Sequence, residues 1–215
     1  MNAPDAGTVD PVTLEVVRNK LEGIANEMQM TLLHSAFSPI VKEGMDCSAA
    51  LFTADAQTIA QATAIPIHLA TMIPALEAVL ASFPLASMRP GDVYILNDPY
   101  SGGTHLPDIT LFIPVHAGGV VVAFSVATVH HQDVGGMSPG SIPTNATEIF
   151  QEGLRIPPLL FFRDGKADAT LEALLREVSN RTKGSKTSSS RSSAMPGPPS
   201  STVTTYARPS FLRAT

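Results

Sequence analysis

Residues 105–130 read HLPDITLFIPVHAGGVVVAFSVATVH. Two apolar runs, Ile109 to Val115 and Val120 to Val129, flank the turn His116-Ala117-Gly118-Gly119. Runs of this length, rich in Val, Ile, Phe and Thr and bounded by glycine, predict two strands paired as a hairpin. The far ends of such a hairpin must meet. Its closure therefore brings His105 and Asp108 beside His130, although 25 residues separate the two histidines in the chain.

Each end of the hairpin runs into a glycine-rich loop. The first, Asn97 to His105, contains Gly102 and Gly103; the second, His130 to Gly140, contains Gly135 and Gly136. Glycine permits close backbone approach or positive φ. Two imidazoles and a carboxylate suit Mn²⁺, Zn²⁺ or Fe²⁺ and leave coordination positions free. His105, Asp108 and His130 are thus candidate metal ligands. Asp98, His131 and Asp133 are candidates for supporting them, and Asp133 also for proton transfer. The same residue types serve equally as loop polar groups and turn formers, and no H-E-x-x-H pattern is present.

Upstream, Asp10-Pro11 predicts a helix start, with Asp10 as cap and Pro11 at the first helical position. Leu14, Val17, Leu21, Ile24, Met28 and Leu32 form one apolar stripe as far as Ser35, which predicts a well-packed helix. Cys47 to Phe52 and Thr58 to Ala62 read as a hairpin around a turn without glycine. Ile65-Pro66-Ile67-His68 reads as a restricted segment ahead of a helix from Leu69 to Phe83, and Pro74 moves the expected start toward Ile73. His68 is a candidate acid or base, or else a packed or capping histidine. Val93 to Leu96 and Leu159 to Phe162 are further strands, and Leu171 to Val178 begins a helix. Cys47 fits buried packing better than nucleophilic chemistry. Asn97 and Asp98 suit a structural turn, and Arg155 is a candidate contact for a substrate carboxylate. The predicted fold class is mixed α+β, an N-terminal helix packed on a β-sheet with metal-binding loops at strand ends.

The chain has 215 residues, 15% of them charged and 44% apolar. Its charge is uneven: residues 1–180 carry net −11 and residues 181–215 carry net +6. So acidic a body disfavours non-specific nucleic-acid binding, which requires phosphate neutralisation. The lone cysteine rules out an internal disulfide framework, and no apolar run approaches a membrane span. A cytoplasmic protein without a membrane or nucleic-acid partner is expected. The last 35 residues are crowded with Ser, Pro, Gly and Lys and predict disorder.

Five stretches carry a resemblance to the hydantoinase B/5-oxoprolinase family: DPVTLEVVRNKLEGIANEM, FSPIVKEGMDCSAALFTADAQTIAQ, IPIHLATM, GDVYILNDPYSGGTHLPDITLF and HHQDVGGMSPGS. The resemblance implies that residues 1–180 are the N-terminal part of a hydantoinase B-like catalytic subunit. It leaves residues 181–215 as a Ser/Pro-rich basic tail, disordered or derived from a shifted reading frame. It implies a manganese ion on His105, Asp108 and His130, and a hetero-oligomer with a hydantoinase A-like ATPase subunit that binds ATP and phosphorylates the amide oxygen. The implied activity is hydrolysis of small cyclic amides, 5-oxoproline or hydantoins, with a place in glutathione metabolism. His68 and Asp133 are the expected proton-transfer residues. Two other outcomes remain open: a carboxylase subunit joining a ketone to bicarbonate, and a truncated inactive or interaction fragment.

Overall fold

The computed structural model describes residues 9–184. Its centre is a seven-stranded antiparallel sheet. The strands are β1 (Cys47–Thr53), β2 (Thr58–Gln61), β3 (Val93–Leu96), β4 (Asp108–Ala117), β5 (Val120–His130), β6 (Leu159–Arg163) and β7 (Lys166–Ala167), in the spatial order β2-β1-β5-β4-β3-β6-β7. The helices are α1 (Pro11–Ser35), α2 (Pro39–Lys42), α3 (Pro66–Ser82) and α4 (Ala169–Gly184). The expected tail lies outside the described residues from position 185 onward.

Alternation along the strands divides the core into two layers. Cys47, Ala49, Leu51, Ile95, Ile109, Leu111 and Val129 lie on the α1 face of the sheet, in one core cluster with Ala25, Met28 and Leu32. Ala50, Phe52, Tyr94, Leu96, Phe112, Phe124 and Val126 face the opposite way and meet Met72, Leu76 and Val79 of α3. The N-terminal helix does pack on the sheet as expected, and α3 covers the other side.

Two expectations about the helices need correction. Only the C-terminal half of α1 is packed: Leu14, Val17 and Ile24 are exposed, as are Val12 and Val16. At about 1.5 Å per residue, this 25-residue helix outruns the seven-residue strand β1, which spans only about 23 Å. The second correction concerns α3, which starts at Pro66 with Pro74 in its interior. A proline within a helix costs about 3 kcal/mol, whereas burying Met72, Leu76 and Val79 contributes roughly 1.5–3 kcal/mol each, so burial wins. His68 consequently sits in the first turn of α3 rather than ahead of the helix. Among the described residues, no helix is long and apolar enough to cross a membrane.

Candidate metal centre

The hairpin β4–β5 pairs Asp108 with His130. On the other side of β5, strand β1 pairs Cys47 with Val129, and the His130 amide donates to the Asp46 carbonyl at 3.1 Å. Asp46, His130 and Asp108 therefore form a row across the ends of three adjacent strands. One row further in lie Ser48, Thr128 and Thr110, all buried, with the two threonine hydroxyls 2.8 Å apart. The period-2 alternation that turns Phe112, Phe124 and Val126 toward α3 turns both polar rows the same way.

Two further histidines complete the group. The first turn of α3 lowers His68 onto the row, with its Nε2 3.1 Å from Asp108 Oδ2 and 3.6 Å from Asp46 Oδ1. The loop entering β4 brings His105 Nε2 to 3.1 Å from Asp108 Oδ1 and 3.2 Å from His130 Nδ1. His130 Nδ1 stands 3.0 Å from Asp108 Oδ1 and 3.6 Å from Asp46 Oδ2. Thr104 donates its hydroxyl to Asp108 Oδ2. Asp108 and His130 are buried, while the His105 side chain is 40% exposed and leaves the group open on one side.

The donor set fits a cation. Two donors about 2.1 Å from one ion at angles of about 90–110° must stand about 3.0–3.4 Å apart. The separations among His105, Asp108 and His130 are 3.0, 3.1 and 3.2 Å. Burial works to raise the Asp108 carboxyl, but hydrogen bonds from His105, His130, His68 and Thr104 outweigh it and hold the group far below the usual carboxylate range. His105 is raised by its bond to Asp108, against the opposing effect of burial. A carboxylate kept ionised among converging imidazoles is what a divalent ion requires.

The other sequence candidates fall elsewhere. Asp133 accepts from the amides of Gly135 and Gly140 and from the Ser141 hydroxyl, so its carboxylate organises the loop after His130. His131 turns away from His130 into a small, largely apolar cavity lined by Ile109, Val134, Leu154, Ile156 and Leu175, with Asp133 also on its wall. There burial, aided by the neighbouring His130, pushes its imidazole down to about 4. Asp98 caps a 3₁₀ turn at Pro99–Ser101 and pairs with Arg155 at 2.8 Å, and that guanidinium also lies over Tyr100. Asn97 bridges two loops, donating to the carbonyls of Leu106 and Leu154 and accepting from the Ile156 amide. Cys47 is fully buried, and its thiol is pushed up to about 11 by burial and by Asp46. Gly102, at φ 94°, lies where a Cβ would stand 2.4 Å from the Ala75 nitrogen, so glycine lets the His105 loop seat directly on α3.

Sequence reasoning did not single out Asp46, Ser48 or Thr104. Asp46 stands just ahead of an apolar strand and carries no local motif. The β1–β5 register, set by alternation in both strands, is the signal that places it beside His130.

Residues 10–192 match the family described as Hydantoinase B/oxoprolinase. The chain is 36% identical over 157 residues to the 5-oxoprolinase of Dictyostelium discoideum, covering 73% of this chain and 12% of that protein. It is 40% identical over 159 residues to the caprolactamase subunit beta of Pseudomonas jessenii, covering 74% of this chain and 27% of the relative. The crystal structure of the ATP-dependent caprolactamase from Pseudomonas jessenii superposes with a TM-score of 0.70 at 37% identity, over 79% of this chain and 29% of that one. A nucleotide-free acetone carboxylase structure superposes with a TM-score of 0.73 at 21% identity over 79% of this chain and 22% of that one, a likeness of fold. The chain thus spans less than a third of the length of the relatives it matches. With the match running from the start of α1 past the end of α4 and taking in the whole His–Asp row, this chain belongs to the hydantoinase B/oxoprolinase family.

Proposed function

We propose that this chain provides the metal centre of the B-type subunit in an ATP-coupled cyclic amidase. His105, Asp108 and His130 hold the divalent ion, with Mn²⁺ the first choice and Zn²⁺ or Fe²⁺ as other occupants. The substrates are small cyclic amides: 5-oxoproline, which would tie the reaction to glutathione metabolism, a hydantoin, or a related lactam. ATP is handled by a hydantoinase A-like ATPase subunit in a cytoplasmic hetero-oligomer. The observation that carries this reading is the convergence of two imidazole nitrogens, 3.2 Å apart, on one buried carboxylate oxygen at 3.0 and 3.1 Å. Names among the relatives support the substrate class, since both 5-oxoprolinases and a caprolactamase act on ring amides.

When bound, the ion supplies Lewis-acid charge at the reacting carbonyl. The chain's own groups do the rest. The exposed edge of His105 leaves an approach from solvent for the ring. Asp108 stays ionised and anchors both imidazoles. His68, with Nε2 directed at Asp108 and Asp46, is placed to hold and deliver a proton during ring opening. Asp133 keeps the loop that follows His130 in shape.

The test combines the full chain with an A-type ATPase subunit, ATP and Mn²⁺, and offers 5-oxoproline, N-methylhydantoin or caprolactam. Ring-opened product and ADP are expected from at least one of them. His105→Ala should lower that turnover by about 100-fold or more, the scale of losing a transition-state contact. Metal-loaded chain, active partner and no opened ring with any of the three would overturn the proposal.

A further inference from the structure

We infer that Ser48 fixes His68 in the tautomer carrying its proton on Nε2, so that His68 serves the centre as a proton donor to Asp108 and not as a ligand of the ion. Ser48 is fully buried in β1, and its hydroxyl lies 3.0 Å from His68 Nδ1. His68 is itself 3% exposed, so neither group can turn to water. Among the described residues, Nδ1 is the hydrogen-bond contact that the Ser48 hydroxyl makes.

A hydroxyl has one proton to place, and a neutral imidazole has one donor and one acceptor nitrogen. With the ring proton on Nδ1, Ser48 would accept it and leave its own proton buried without an acceptor. The bare Nε2 would then face Asp108 Oδ2 at 3.1 Å and Asp46 Oδ1 at 3.6 Å, lone pair against lone pair. With the proton on Nε2, both faults vanish. Ser48 donates to Nδ1, and Nε2–H donates to Asp108 Oδ2.

This assignment decides between two overlapping donor sets. His105, Asp108 and His130 form one, while Asp46, His68 and Asp108 form another of comparable compactness. A protonated Nε2 offers no lone pair to a metal, so the second set is a proton-holding arrangement and the chain takes one ion. Asp108 divides its work accordingly. Oδ1 faces the two ligand histidines, and Oδ2 is held by His68 and Thr104, the outer support that ligand carboxylates commonly receive.

The metal count rests on the centre proposed above; the tautomer does not. Long-range ¹H–¹⁵N spectra of the full chain labelled with ¹⁵N-histidine, recorded with and without Zn²⁺, report which ring nitrogen is bare. The His68 signals are assigned by their loss in His68→Gln. The bare nitrogen is expected at Nδ1 in both conditions, and Ser48→Ala should move its resonance downfield, toward that of a ring nitrogen that accepts no hydrogen bond. A bare Nε2, or a Ser48→Ala spectrum identical to wild type, would overturn the inference. His68→Gln keeps a donor for Asp108 and an acceptor for Ser48. Its Zn²⁺ affinity should stay within about threefold of wild type, against losses of about 10-fold or more on removing a ligand or its support. A fall in His68→Gln as large as in His105→Ala, or two zinc ions per wild-type chain, would also overturn it. Wild-type chain that binds no zinc sinks the proposed function, while the spectra still decide the tautomer.

Discussion

Asp98 shows how one side chain fixes the loop that delivers His105. It is buried, accepts from the Tyr100 amide and the Ser101 hydroxyl, and pairs with Arg155 across 57 residues of chain. Burial acts to raise its carboxyl, yet the bond from Arg155 and those from Tyr100 and Ser101 prevail and hold it below the ordinary value of 3.8. A carboxyl lowered in the folded state binds its proton less tightly there than in the unfolded chain. Its contribution is therefore full above the unfolded value and is lost as pH falls through the folded one. Asp98→Ala should cost about 1–3 kcal/mol at pH 7, because the Arg155 guanidinium it abandons is a third exposed and can be hydrated. Urea midpoints of wild type and variant, measured from pH 7 down to pH 3, should converge in acid. A gap that stays constant over that range would show that the carboxylate charge is not what holds the loop.

Among the elements, α1 separates what periodicity shows from what it cannot. The stripe from Leu14 to Leu32 is continuous in sequence, but packing is not: Leu32 is 4% exposed and Leu14 59%. Leu32→Ala should cost about 2–4 kcal/mol, whereas Leu14→Ala should stay within about 0.5 kcal/mol. Equal losses in chemical denaturation would mean that the first turns of α1 are covered in solution. The helix, its Asp10 cap and the β4–β5 hairpin were legible because each is written locally, in 3.6- or 2-residue periods and in turn glycines. His105, Asp108 and His130 were legible for the same reason, since one hairpin brings them together. Asp46 and Ser48 reach the group through the pairing of β1 with β5, 70 or more residues apart, and no local pattern encodes that pairing. Pro74 misled in the opposite sense. A local breaker was overridden by the burial of α3 against the sheet, a tertiary effect invisible in the helix's own sequence.

Across the whole molecule, the candidate metal centre is where separate parts of the chain are joined. Asp46 comes from the start of β1, His68 from α3, His105 from the loop before β4, and Asp108 and His130 from the paired ends of the hairpin. Their side chains gather on the α3 side of the sheet, at the ends of the neighbouring strands β1, β5 and β4. An ion bound to His105, Asp108 and His130 ties the loop to the hairpin in the folded state and has no preformed site in the unfolded chain. Folding and binding are then linked. At a free ion concentration about 100 times the dissociation constant, that linkage adds about 2.7 kcal/mol, which for a body of this size raises the melting temperature by roughly 5–10 °C. Chelation by EDTA should reverse the rise, and the shift should be absent in Asp108→Asn and His130→Ala. Leu14→Ala, exposed on the first turns of α1, lies outside the donor set and should keep it. A melting temperature that ignores Mn²⁺ and Zn²⁺ alike, in chain whose circular dichroism shows the expected fold, would mean that the three donors converge without gripping a cation.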